Sequence, residues 1–158
     1  MHRLGARRQG GAAVSGAGGS SVIAALSLVP GTASGETLVL TEPLSFWGGL
    51  NSQTGAIIDQ WHPQCGLVMS GRILVMRAGR GSSSGSSVLA EAIRLGRGPS
   101  GIILQSRDAI VTVGAMVAME LYGIACPVVL ATAQDWPAIT ASASAAIDAD
   151  AAQALIKL

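Results

Sequence analysis

Ile73-Leu74-Val75-Met76 is followed by Arg77-Ala78-Gly79-Arg80-Gly81-Ser82-Ser83-Ser84-Gly85-Ser86-Ser87 and then by Val88-Leu89-Ala90-Glu91-Ala92-Ile93-Arg94-Leu95. Four consecutive large apolar residues read as a strand buried on both faces. The glycines and serines after it make a loop. Leu89, Ala92 and Ile93 then recur at helical spacing with Glu91 and Arg94 off that face, and Gly96 and Gly98 stop the helix. Ser86 or Ser87 is the expected N-cap.

The same alternation repeats on either side of this segment. Gly101–Leu104 reads as a second buried strand, Val111–Tyr122 as a second helix ended by Gly123, and Pro127–Ala131 as a strand entered through proline. Upstream, Val22–Val29 reads as a strand closed by a Pro30-Gly31 turn, and Thr37–Thr41 and Ala56–Asp59 as short strands. Between these last two, Ser45-Phe46-Trp47-Gly48-Gly49 is a tight loop in which two glycines permit close approach, and Asn51–Gly55 continues it as turn. Strands alternating with helices make this an α/β domain. Ala145–Leu158 is alanine-rich, and propensity alone assigns it to helix.

A chain of 158 residues holds one core, built here from aliphatic residues because only 3% are aromatic while 49% are hydrophobic. A net charge of +1 with dispersed arginines argues against nucleic acid as a partner. The most apolar stretch, Ala109–Met119, is much shorter than the roughly 20 residues of a membrane-spanning helix, so no membrane partner is expected. Low charge with a mean hydropathy of +0.50 suggests apolar surface that another subunit covers. Cys65 and Cys126 form no CxxC pair and read as buried free thiols of a cytoplasmic protein.

Residues 1–21 divide from the rest by composition. Arg3, Arg7 and Arg8 precede glycine, alanine and serine, and with Val22–Val29 they resemble a signal peptide. The competing reading is a disordered leader over 1–21 before a folded domain over 22–158. A secreted domain, with the leader removed, is the alternative.

The loop Gly79–Ser87 is the segment where chemistry is expected. A glycine-rich turn feeding a helix start offers free backbone N–H groups and the positive end of the helix dipole, which suit a carboxylate or phosphate. No Gly-Lys-Ser/Thr closes a P-loop and the glycine spacing is wrong for a dinucleotide fingerprint. Gly81-Ser82-Ser83-Ser84-Gly85 fits Gly-x-Ser-x-Gly literally, yet no histidine follows to complete a hydrolase triad. A serine here acts as base or nucleophile only with neighbouring positive charge, which Arg80 and the helix start supply in part, or with a metal-bound substrate. The plain alternative is a solvated loop with a cap. His62 beside Pro63 reads as a loop residue, and no metal site is expected in this chain alone.

Five segments, in order, carry a resemblance: Gly31-Thr32-Ala33-Ser34-Gly35-Glu36; Ser45-Phe46-Trp47-Gly48-Gly49; Gly71-Arg72-Ile73-Leu74-Val75; Gly79-Arg80-Gly81-Ser82 with Gly85-Ser86; and Val113-Gly114-Ala115-Met116-Val117-Ala118. Together they resemble the small subunit of the aconitase X family, the swivelling-domain partner in mevalonate 5-phosphate dehydratase and cis-3-hydroxy-L-proline dehydratase. The resemblance runs from about Val22 to the C-terminus. It implies a single swivelling β/β/α domain like the mobile C-terminal domain of aconitase, with Val22–Val29 kept as its first strand and the protein therefore cytoplasmic.

The resemblance also implies a site. Ser82 matches the catalytic serine after the family's Gly-Lys-Gly, which here reads Gly79-Arg80-Gly81, with arginine in place of lysine. Ser45, Phe46, Gly48, Gly49 and Asn51 are implied to face the same cleft, with Arg80, Gly81, Ser83 and Ser86 beside the substrate. Ser83 and Ser84 stay open as alternative bases. The implied reaction is loss of water from a small hydroxy acid in a heterodimer, with an iron–sulfur cluster in the large subunit and no cofactor held by this chain. cis-3-Hydroxy-L-proline is the expected substrate and mevalonate 5-phosphate the runner-up; a non-catalytic swivelling module is the reading from another class. The resemblance further implies that the C-terminus is a β-hairpin, with strands at Ala146–Asp148 and Ala154–Leu158, against the propensity reading.

Overall fold

The computed structural model describes residues 19–158; of the leader expected over 1–21, residues 1–18 lie outside the described residues. Seven strands and four helices follow in the order β1 (Val22–Val29), β2 (Gly31–Val39), α1 (Phe46–Gly49), β3 (Ile73–Met76), α2 (Gly85–Arg94), β4 (Gly101–Leu104), α3 (Ala109–Tyr122), β5 (Val128–Leu130), α4 (Trp136–Ala141), β6 (Ser144–Ala149) and β7 (Gln153–Lys157). The strands close into a barrel in the order β1-β5-β4-β3-β2-β6-β7. β2, β3, β4 and β5 run parallel, and β1, β6 and β7 complete the ring antiparallel.

Side-chain alternation along these strands divides the apolar residues between two cores. Ile73 and Val75 of β3, Ile103 of β4, Val129 of β5, Ile147 of β6 and Ile156 of β7 fill the barrel. Their neighbours Leu74, Met76, Ile102, Leu104 and Val128 point outward and pack with Leu89, Ile93, Val111 and Ala115 of α2 and α3. The short strands are apolar throughout because both of their faces are buried. Helices α2 and α3 lie against each other at Gly114, where a Cβ would stand 2.9 Å from the Ser86 carbonyl oxygen. At the end where the parallel strands finish, Trp136 and Ile139 of α4 pack into the barrel core.

The C-terminus is a hairpin. β6 pairs with β7 from Ala146↔Lys157 to Ala149↔Ala154, and Asp150 Oδ1 accepts the Ala152 and Gln153 amides at 2.8 and 2.7 Å in the turn. Those bonds hold the Asp150 carboxyl below its ordinary range. The helix expected from alanine content is therefore wrong: Ala145, Ile147 and Ala149 are buried at period two, and pairing with β2 and β1 closes the barrel. Pro30-Gly31 separates β1 from β2 without making a hairpin, because those strands are not neighbours. Ala56–Asp59 contributes isolated bridges at Ala56 and Ile57 instead of a strand. α2 begins at Gly85 after Ser84, ahead of the expected cap, and α4 was not expected.

Candidate functional site

The carboxyl ends of parallel strands are where an α/β sheet presents its loops to a ligand, and the serine loop leaves β3 at that end. Three anchors set its path. The Gly79 amide donates to Asp108 Oδ2 at 2.8 Å, while Asp108 Oδ1 accepts the Val111 amide at 3.0 Å and so caps α3. The Arg80 amide donates to the Leu44 carbonyl at 3.2 Å, which lays the segment from Leu44 onward beside the loop. Gly81 takes φ 91° with its Cα pressed against Ser45, so that any Cβ would overlap the Ser45 side chain.

Ser82, Ser83 and Ser84 emerge from this fixed base exposed to solvent. The Ser82 hydroxyl oxygen accepts the Ser84 amide at 3.2 Å, and the Ser82 carbonyl accepts the Gly85 amide at 2.9 Å. Ser82 thus stands at the start of the ten-residue helix α2, where backbone N–H groups and the helix dipole favour negative charge. Ser84 makes no side-chain cap bond there.

The other expected site residues divide by position. Ser45 adjoins Gly81 and donates to the Trp47 carbonyl at 2.9 Å. Gly48 turns the chain at φ 77°, and Gly49 is buried against Leu44. Asn51 Oδ1 accepts the Gln53 amide at 2.9 Å and shapes the following turn. Phe46 is only 2% exposed; its side chain belongs to the outer core and abuts Gly85. Ser86 donates to the Ile110 carbonyl at 2.7 Å, tying α2 to α3. Arg80 reaches Asp59 Oδ2 at 3.2 Å, with the Arg80 side chain 55% exposed. His62 is buried, its Nδ1 accepting the Gln64 amide at 3.1 Å and its Nε2 facing the Glu42 carbonyl at 3.0 Å.

Sequence reasoning did not assign Asp108 or Asp59 to this loop. An aspartate one residue before a helix is a readable cap, but its second bond to Gly79 spans 29 positions and leaves no local trace. Trp47, 60% exposed, takes the outward place beside the buried Phe46.

Among the described residues no three His, Cys, Asp or Glu side chains converge as metal ligands, and no helix is long and apolar enough to cross a membrane. The expectation of two buried thiols holds for Cys126, which donates to the Pro99 carbonyl at 3.4 Å, and fails for Cys65, which lies exposed in a surface turn. Burial pushes the Cys126 thiol up to about 12.

A closed mixed barrel flanked by two helices, with a serine loop at the ends of its parallel strands, defines a swivel domain. The sequence profile of the aconitase X swivel domain matches residues 22–156, and the chain belongs to that family. Aconitase X of Thermococcus kodakaraensis, in its holo form, superposes with a TM-score of 0.72 at 29% identity, over 86% of this chain and 98% of that one. The cis-3-hydroxy-L-proline dehydratase of Pseudomonas aeruginosa is 47% identical over 102 residues, 65% of this chain but 18% of that relative's length. The phosphomevalonate dehydratase small subunit of Methanopyrus kandleri is 42% identical over 82 residues, 52% of this chain and 61% of that subunit. The chain thus matches less than a fifth of the first relative and most of the second.

Proposed function

We propose that this chain is the small subunit of a two-polypeptide, aconitase-X-type hydro-lyase that dehydrates cis-3-hydroxy-L-proline, with Ser82 as its base. The observation that carries the reading is the place of Ser82: exposed at the lip of a loop pinned by Asp108, Leu44 and Ser45, with its oxygen already accepting the Ser84 amide. That amide and the start of α2 stabilise the oxygen as an alkoxide. The alkoxide takes the proton on the carbon that bears the substrate carboxylate. The C–H pair becomes the new carbon–carbon double bond, the hydroxyl on the adjacent carbon leaves as hydroxide with the electron pair of the broken C–O bond, and the proton gained by Ser82 passes to solvent, which restores the alkoxide and completes the loss of water.

The Arg80 guanidinium receives the substrate carboxylate, with Ser45, Gly81 and Ser83 around it and Gly48, Gly49 and Asn51 shaping the facing loop. Phe46 and Ser86 serve by holding these loops, since one is buried and the other is tied to Ile110. The family resemblance assigns an iron–sulfur cluster to the large subunit. The two cysteines here, one exposed and one buried beneath Pro99, do not build a site for it, and this chain's part is the proton and the acid group of the substrate.

A second reading has mevalonate 5-phosphate as substrate. The small-subunit relative favours it, as does the open start of α2, which suits a phosphate. The test is co-expression with the large subunit, anaerobic purification, and measurement of water loss from each compound by wild-type and Ser82→Ala complexes. Turnover of cis-3-hydroxy-L-proline that falls about 10²- to 10⁴-fold in an assembled Ser82→Ala complex is the expected result. Turnover of mevalonate 5-phosphate alone selects the second reading, and an active alanine variant removes Ser82 as the base in favour of Ser83 or Ser84.

A further inference from the structure

Asp59 sits where three loops meet. Its Oδ2 faces Arg80 Nη2 at 3.2 Å, its Oδ1 accepts the Trp61 amide at 3.0 Å, and its Cβ lies against Gly49. The pair is asymmetric: the Asp59 side chain is 19% exposed and the Arg80 side chain 55%. One end is anchored with both carboxylate oxygens engaged. The other offers a planar fork of five N–H donors, of which Asp59 takes one. A single half-exposed contact of this length adds little to stability. Its effect is directional, because a long and otherwise free side chain is held on the side of the serine loop that faces Gly49.

We propose that Asp59 is a positioning residue that orients the Arg80 guanidinium for the carboxylate of the substrate, an inference that rests on the dehydratase reading above. Aiming the fork in advance removes the cost of fixing a flexible side chain when the anion binds. The function lies in binding and not in proton transfer, so its loss raises KM and leaves kcat nearly unchanged.

In the assembled complex, Asp59→Asn is expected to raise KM about twofold to fivefold, the scale of one exposed charged contact, with kcat within about twofold and part of the loss restored by Asp59→Glu. The same substitution in an Arg80→Ala background is expected to change KM no further. A KM unmoved by Asp59→Asn overturns the proposal. So does a full effect that persists without Arg80, since it would then act through the Trp61 turn. Side-chain ¹⁵N relaxation of Arg80 Nε in the free, full-length chain gives a readout independent of turnover: restricted motion in the wild type and faster motion in Asp59→Asn is expected, and equal motion overturns it. If the wild-type complex dehydrates neither compound, the dehydratase reading fails while the relaxation measurement still decides whether Asp59 holds Arg80.

Discussion

Replacing Asp108 by alanine tests how the serine loop is held. The carboxylate caps α3 through Val111 at 3.0 Å and grips the Gly79 amide at 2.8 Å with its other oxygen. Losing an aspartate cap costs about 1 kcal/mol. Losing a bond from an amide to a charged acceptor costs about 1.5 kcal/mol, the low end of its range because Asp108 is only half-buried. The sum is about 2.5 kcal/mol, or roughly 10 °C in Tm for a domain of this size. Asparagine separates the two bonds: its one oxygen keeps the cap, while its NH2 group cannot accept from Gly79, so Asp108→Asn is expected to lose about 1.5 kcal/mol. Urea denaturation followed by circular dichroism measures both variants, and amide exchange at Gly79 and Val111 locates the loss. An alanine variant within about 0.5 kcal/mol of wild type, outside the usual range for a lost cap, or an asparagine variant as unstable as alanine, would refute the two-bond account.

Gly81→Ala is expected to abolish turnover at a much smaller cost to the fold, because the new Cβ combines an unfavourable positive φ with a collision against Ser45 on a surface loop; near-wild-type activity in the complex would refute that geometry. Thiol labelling of the native chain at pH 8 is expected to modify Cys65 and spare Cys126, which is buried with its thiol pushed up to about 12. Since an unfolded thiol ionises near about 8.5 while this one stays protonated, rising pH favours the unfolded chain. The Cys126 contribution is therefore present below about 8.5 and lost toward about 12; alkaline melts of wild type and Cys126→Ala that stay parallel over that span would contradict it.

What the sequence made legible follows from where physical cues are local. Ile73–Met76, Gly101–Leu104 and the stop glycines Gly96 and Gly123 announce buried strands and helix ends within a few residues, and those elements appear where expected. The C-terminal alanines could not be read this way. Their helix propensity is a few tenths of a kcal/mol per residue, and it yields to ring closure, where Ala145, Ile147 and Ala149 are buried and paired to β2. Only the resemblance supplied the hairpin. α4 was missed because six residues with Pro137 near the start give almost no period to detect. At the site, Phe46-Trp47 before two glycines marks a close-packed loop without saying which ring turns inward. That choice is made by packing against distant segments: Phe46 joins the outer core, with its Cβ near Gly85, and is buried.

On the proposed reading, the surroundings of Ser82 bear on how a serine works as a base. His62 has both ring nitrogens engaged by the Glu42 carbonyl and the Gln64 amide, Asp108 spends both oxygens on amides, and Asp59 spends its own on Arg80 and Trp61. None of these three hydrogen-bonds to Ser82 as the base of a triad would. What lies beside Ser82 is donors: the Ser84 amide and the opening turn of α2. An environment of donors stabilises an oxygen that carries negative charge, the form in which a serine accepts a proton from carbon. On the proposed reading, this is why the loop is pinned at Gly79, Arg80 and Gly81 and open from Ser82 onward: the charged oxygen is preorganised by its own backbone and left exposed for a substrate that the large subunit must bring.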